Sequence, residues 1–366
     1  MIRYILTSLP MLVCLFWSCQ LWVDWYKEGQ TAKLRLLIFS SVTMVLYFGH
    51  MAYFNQERTI MPYTETLYSM ANLSVFPLYY LYLLELTEAE WKRHWQVTLM
   101  VPAIIIGVMT GCCYALLGEG EREPVLFVVR MVAKVIFAIQ VVMVMVKGYR
   151  KVKKFDGMVE NYFADTENRT LKNVQGIMIL LIMTSVVSFI ANLIGKEAFV
   201  DSLALVSIPS VVFSILLFVL LMMGHQQNFT IHELMVEATE DATEVATEEA
   251  PAEESAEKIH QIAKGIERMM REEKPYLLHD LRLSDVARRL NTNRDYVSRA
   301  IRMDMGMSFN EYVNKMRIDY AITLMKGNPQ LSALEVSVKA GYTSLASFYR
   351  NFKQFTGSSP KQFMQG

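Results

Sequence analysis

The stretches LSDVARRLNTNRDYVSRAIRMDMG, residues 283–306, and LSALEVSVKAGYTSLASFYRNFKQFTGSSPKQF, residues 331–363, decide how this chain folds. Each reads as a short helix, a tight turn and a second helix. In the first, Val286, Ala287 and Leu290 share the inner face of the short helix, and Ala287 is small enough to let another helix cross closely. Thr292 and Asn293 are expected to make the turn. The next helix buries Val297 and Ile301, which leaves Asp295, Ser298, Arg299 and Arg302 on its outer side, with Arg294 near its N-terminus. In the second stretch, within a unit expected over 331–356, Ser332 and Glu335 form a capping box. Gly341 falls at the turn, where a positive φ is cheap only for glycine. Phe348, Phe352 and Phe355 recur at helical spacing as core residues, so Ser344, Leu345, Ser347, Arg350 and Lys353 can face outward.

Between the two units, residues 308–326 read as one helix, capped by Ser308 and Glu311 and ended by Gly327. Phe309, Val313, Met316, Tyr320 and Leu324 form its apolar stripe. At 1.5 Å per residue it spans ~28 Å, close to the ~34 Å that separates successive major-groove faces on one side of a duplex. Upstream, Ile259, Ile262, Ile266 and Met269 mark a further helix that stops before Pro275.

The charge distribution agrees with a polyanionic partner for this part. The whole chain is formally neutral, yet residues 258–366 carry 18 Lys/Arg against 10 Asp/Glu. An outward Arg can grip guanine with two hydrogen bonds, and an Asp can accept from cytosine. Arg350 and Lys353 suit phosphate as well as base edges.

Residues 275–363 resemble the DNA-binding domain of the AraC family of bacterial regulators. The resemblance is carried by Gly341-Tyr342, Phe348, Arg350, Phe352-Lys353, Gly357 and Ser359-Pro360 in the second unit, and by Ala287, Arg299, Gly306, Phe309, Arg317 and Ala321 before it. It covers about a quarter of the chain. It implies an all-helical domain with two units that inserts two recognition helices into adjacent major grooves, usually to activate transcription. Three positions depart from the family pattern: Ser337 stands where a small Ala is usual, Ile301 where Phe is usual, and Met364 where a basic residue is frequent.

The remainder of the chain is a different material. The apolar fraction is 53% and the mean hydropathy +0.23. A membrane-spanning helix needs ~20 mostly apolar residues, and seven stretches qualify: 4–23, 33–54, 63–84, 97–117, 125–146, 174–195 and 203–224. With the N-terminus outside, twelve Lys/Arg fall in the inner loops, and only Arg3, Arg58, Arg122 and Lys196 fall outside. Seven spans then leave the C-terminus in the cytoplasm. The first stretch is read as a span rather than a secretory signal, because it shows no small-x-small cleavage site and six spans would strand the basic tail outside.

Charge within a span costs at least ~2.5 kcal/mol, so Glu65, Arg130 and Lys134 are expected to face the bundle interior. Together with His50 and Asn72 they lie toward the outer ends of their spans. One reading is structural, with Glu65 pairing Arg130 and Asn72 solvating Lys134. The other is a polar ligand pocket, open to the outer side, built from the same five residues. Gly107 and Gly111 make a GxxxG that favours close packing within one bundle over dimerisation. The four cysteines, Cys14, Cys19, Cys112 and Cys113, all lie in apolar stretches without metal-ligand spacing.

The expected architecture is therefore all-α: a bundle of seven transmembrane helices over 1–226, an acidic linker over 227–257, and the AraC-type double helix-turn-helix domain over 258–366. The run 233–257 holds ten Asp/Glu and no Lys/Arg. It reads as a solvated tether, with competition against DNA for the basic tail as a sharper alternative. The expected function is a membrane-bound, sequence-specific transcription regulator in a bacterial inner membrane that couples an external or membrane signal to transcription. No enzymatic activity, cofactor or metal is expected. Expected partners are promoter DNA and the bilayer, with RNA polymerase, a second copy of the chain and an unidentified small molecule as further candidates. The rival reading is a transporter or membrane enzyme carrying a regulatory DNA-binding appendage; proteolytic release of the tail is a third.

Overall fold

In the computed structural model the chain is all-α. The structure describes residues 2–55, 59–88, 94–167, 202–240 and 255–365, and residues 169–186 in part. It divides into two compact units, Met1–Lys153 with Leu171–Ile231, and Lys154–Thr170 with His232–Gly366. The sequence boundary at residue 226 placed Lys154–Thr170 with the apolar half; the compact units place it with the basic one.

The first unit contains α1 (Ile2–Glu28), α2 (Thr31–Phe54), α3 (Met61–Thr87), α4 (His94–Leu116), most of α5 (Glu119–Tyr162) and α6 (Leu203–Gln226). Six helices among the described residues are long and apolar enough to cross a membrane. The sixth stretch read from the sequence, 174–195, lies largely outside the described residues. Each helix packs on its sequence neighbour from α1 to α4, and α6 closes against α1 and α2. Of the GxxxG, Gly107 lies at a close approach, where a Cβ would collide with the Met70 side chain of α3; a Cβ on Gly111 would make only ordinary contact, 3.6 Å from Thr66 Cγ2.

Several polar groups in this unit are paired. Arg130 Nε donates to Glu65 Oε1 at 2.7 Å, and the Tyr114 hydroxyl donates to the same carboxylate. Lys33, expected in an inner loop, is instead 2% exposed, and its ammonium donates to the carbonyls of Gly224, at 3.4 Å, and His225. A cation there caps the last turn of α6, where carbonyls have no helical partner and the helix dipole is negative. His225 is held in turn by Asp24, with Nδ1 2.6 Å from Oδ2.

The second unit contains α7 (Ile231–Glu240, from His232 on), α8 (Ser255–Glu272), a 3₁₀ turn (Pro275–Leu277), α9 (Leu283–Arg289), α10 (Arg294–Asp304), α11 (Phe309–Gly327), α12 (Ala333–Lys339), α13 (Leu345–Thr356) and α14 (Pro360–Gln365). It has two apolar cores. One joins Ile259, Ile266 and Met270 of α8 to Val286 and Ala287 of α9, Val297 and Ile301 of α10, and Phe309 and Val313 of α11. The other joins Ile318, Ala321 and Met325 of α11 to Val336 of α12 and to Phe348 and Phe352 of α13. Helix α11 thus enters both cores through different faces. That is why its stripe differs from the expected one: Phe309 and Val313 are buried, but Ile318, Ala321 and Met325, rather than Leu324, carry the second core.

Arg317 of α11 is 2% exposed and ties the two halves together. Its Nε donates to the Tyr276 carbonyl at 2.7 Å, and Nη2 donates to Leu278 O at 2.7 Å and His279 O at 3.4 Å. Loss of water lowers its pKa, although Tyr342 and Asp165 oppose this. The guanidinium lies 5.4 Å from the Tyr342 ring centroid.

Candidate nucleic-acid interface

Each unit presents its outer helix by the same local device. After α9, Asn291 takes φ 50° and Thr292 N–H bonds to Ala287 O at 3.0 Å. After α12, Gly341 takes φ 82° and Tyr342 N–H bonds to Ser337 O at 3.0 Å. The left-handed residue that reverses the chain in the first unit is thus Asn291, one position before the turn read from the sequence; Asn tolerates this region better than most residues. At Gly341 nothing else fits, since a Cβ would lie 2.6 Å from Leu277 O. The polar cap follows two residues later in one unit and three in the other. Asn293 Oδ1 accepts from Tyr296 N–H at 3.0 Å, and Ser344 Oγ accepts from Ser347 N–H at 3.2 Å. Both expected capping boxes form, at Ser308–Glu311 and Ser332–Glu335. Ser337 fits the slot usually held by Ala because its hydroxyl donates to Leu334 O at 2.8 Å, leaving no unsatisfied donor.

On α10, Asp295, Arg299 and Arg302 are exposed, while Arg294 and Ser298 are half-buried. Three guanidiniums and a carboxylate on one short helix give a surface able to contact both phosphates and base edges. On α13, Leu345, Arg350 and Lys353 are exposed and Ser344 is half-buried, but Ser347 is 6% exposed. That serine was expected to face outward. Its hydroxyl instead donates to Glu167 Oε2 at 2.8 Å and accepts from Arg350 Nη2 at 3.2 Å.

Sequence reasoning missed the segment that supplies this carboxylate. Residues Tyr162–Glu167 lie against both helix-turn-helix elements of the basic unit. Arg294 stacks 5.6 Å from the Tyr162 ring centroid, Phe163 makes an antiparallel bridge to Arg282, and Thr343 Oγ1 donates to Asp165 Oδ2 at 2.6 Å. The available signal was Asp165 and Glu167, two residues apart in a loop read for its basic residues.

Of the five residues proposed for a pocket in the first unit, His50 and Glu65 line a narrow cleft with Tyr53, Thr64 and Tyr68. Arg130 reaches it through Glu65. Asn72 and Lys134 are half-buried and are not among its walls.

Comparison with known proteins falls on the basic unit. Residues 286–366 match a family described as a helix-turn-helix domain. The Msm operon regulatory protein of Streptococcus mutans is 34% identical over 83 residues, covering 23% of this chain and 30% of that protein. The HTH-type transcriptional regulator YtdP of Bacillus subtilis is 31% identical over 86 residues, covering 24% of this chain and 11% of its own length. The chain thus spans less than a third of either relative. A solved structure, the C-terminal domain of AraT, a response regulator from Geobacillus stearothermophilus, is 29% identical, covers 29% of this chain and 83% of its own, and aligns with a TM-score of 0.25. The C-terminal part of this chain is a helix-turn-helix domain. More narrowly, it is a domain of the AraC type, carrying two such units.

Proposed function

We propose that the chain is a membrane-embedded transcription regulator whose C-terminal domain reads duplex promoter DNA with α10 and α13. The observation that carries this reading is the pair of outer helices, each led by a polar cap and each bearing exposed Arg or Lys, on either side of the single helix α11. Arg294, Asp295, Ser298, Arg299 and Arg302 form the first reading head; Ser344, Leu345, Ser347, Arg350 and Lys353 form the second. The two regulators similar to this domain support the assignment to transcription.

The membrane assignment rests on the outer faces of the first unit. Val128, Val135 and Val142, seven residues apart on α5, are 59%, 60% and 64% exposed. Ile208 and Ile215 of α6 are 64% and 59% exposed. Apolar stripes of this size are untenable in water and natural in lipid. The domain division follows the one read from the sequence except that Lys154–Thr170 goes with the basic unit; the acidic run is read as the tether. The inner-loop Lys/Arg bias favours a cytoplasmic C-terminus. The cleft at His50 and Glu65, with Arg130 behind it, is the place where this unit would take a small ligand.

The test is direct. Purified full-length protein in lipid nanodiscs should bind duplex DNA at low salt, with an affinity that falls steeply as salt rises. A chain that ignores duplex DNA at low salt ends the proposal. A reporter fused after Gly366 that is active only outside the cytoplasm would also end it. For the cleft, Arg130→Ala should abolish signal-dependent transcription with protein abundance unchanged; a preserved response removes the ligand role.

A further inference from the structure

We infer that the segment Tyr162–Glu167 is an internal competitor of DNA, seated on the second reading head by carboxylates that stand in for backbone phosphates. The inference rests on the DNA-reading assignment above and goes beyond it.

The chemistry of the contact is that of anion recognition. The first turn of α13 has N–H groups without helical partners, that of Ser347 capped by Ser344 Oγ, and the positive end of the helix dipole. Ser344 Oγ donates to Glu167 Oε2 at 2.5 Å, and Ser347 Oγ donates to the same oxygen at 2.8 Å. Thr343 Oγ1 donates to Asp165 Oδ2 at 2.6 Å. Three hydroxyl donors at one helix N-terminus, Thr343, Ser344 and Ser347, are each satisfied by an anionic oxygen, and hydroxyls so placed are suited to hold a phosphate. Short donor–acceptor distances to a charged acceptor mark the stronger kind of hydrogen bond. Glu167 and a phosphate cannot occupy these hydroxyls together.

The segment is anchored rather than merely adjacent. Ala164 is 1% exposed within the first core, its N–H donates to Leu281 O at 3.1 Å, and its carbonyl accepts from Asn310 Nδ2 at 2.6 Å. The anchor therefore uses the first apolar core of the basic unit, while the carboxylates reach α13 of the same unit. Residues on both sides, up to Lys153 and from Leu171, belong to the apolar unit. That unit consequently holds both ends of the competitor through the chain itself.

The experiment uses the full chain in lipid nanodiscs and a fluorescent duplex of mixed sequence at low salt, so that the phosphate contribution is measured without a known target. Asp165→Ala/Glu167→Ala should tighten binding by at least ~5-fold, because the hydroxyls become available to the duplex. Glu257→Ala/Glu272→Ala removes the same charge from exposed positions of α8 and should change affinity less than ~2-fold. Equal gains from both pairs would reduce the effect to bulk charge and overturn the inference. Wild type and Asp165→Ala/Glu167→Ala binding alike would overturn it while leaving the DNA-reading assignment intact. No binding by any of the three would sink both. Independently of any variant, amide exchange at Ala164 of the wild type should accelerate when saturating duplex is added. Protection that persists with DNA bound would mean the segment is a permanent part of the domain.

Discussion

The first recognition helix, α10, leaves Asp295, Arg299 and Arg302 in solvent, whereas two hydroxyls in the opening turn of the second, α13, are bonded to Glu167. The two helices are otherwise made alike. Each follows a left-handed residue, Asn291 or Gly341, and each begins with a polar cap, Asn293 or Ser344. The difference lies in how the Tyr162–Glu167 segment meets them: α10 receives the Tyr162 ring against Arg294, whereas α13 receives a carboxylate on its opening hydroxyls. Two heads with the same construction can therefore differ in availability, and a domain of this kind can hold one head ready while the other is occupied.

The largest effect expected from breaking this comparison is Phe348→Ala, which empties the centre of the second core at a cost of ~3–5 kcal/mol. Because α11 serves both cores, amide exchange should accelerate across α9 and α10 as well as α13. Loss of protection confined to α12 and α13 would show the heads to be independent. Arg317→Ala strands three carbonyl acceptors and should cost ~3 kcal/mol, read as a lower denaturant midpoint; a change below ~1 kcal/mol would deny the guanidinium its bridging role.

Smaller effects separate the heads by what they read. Arg299→Ala should cost ~1–3 kcal/mol in DNA affinity and relax preference at one base position. Lys353→Ala should weaken all sequences evenly and reduce the salt slope by about one. Identical footprinting profiles for the two variants would erase this division. The smallest effect concerns the cap of α12. Hydrogen bonds from the Ser332 backbone and hydroxyl lower the Glu335 pKa. A depressed carboxylate stabilises the fold above its unfolded pKa, and this contribution disappears as the pH falls through the folded value. Glu335→Gln should therefore flatten the acid side of the stability profile; an unchanged profile would remove the cap from the account.

Local features were legible in the sequence. Capping boxes, the Phe348/Phe352 spacing and Gly341 are set by interactions within a few residues, so they announce themselves in a single chain. The Glu65–Arg130 pair was legible for another reason: two opposite charges at similar depth in apolar helices have few other partners. The Tyr114 hydroxyl on the same carboxylate was not, because a tyrosine in a span carries no such demand. Asn291 escaped because Asn, unlike Gly, occurs in many backbone conformations. Lys33 read as a loop cation because its acceptors, at Gly224 and His225, are about 190 residues away. The docking of Glu167 on Ser347 spans 180 residues and has no periodic or spacing signature. Contacts of this sort depend on how distant segments of one unit fold together, and a one-dimensional pattern does not encode them.

Helix α11 places Phe309 in one core and Met325 in the other. As a DNA reader, the domain consequently has its two heads geared to a fixed pitch. Its operators must carry their paired elements in one angular phase. Lengthening the interval by half a helical turn would swing the second element to the far side of the duplex, where no sequence improvement restores it.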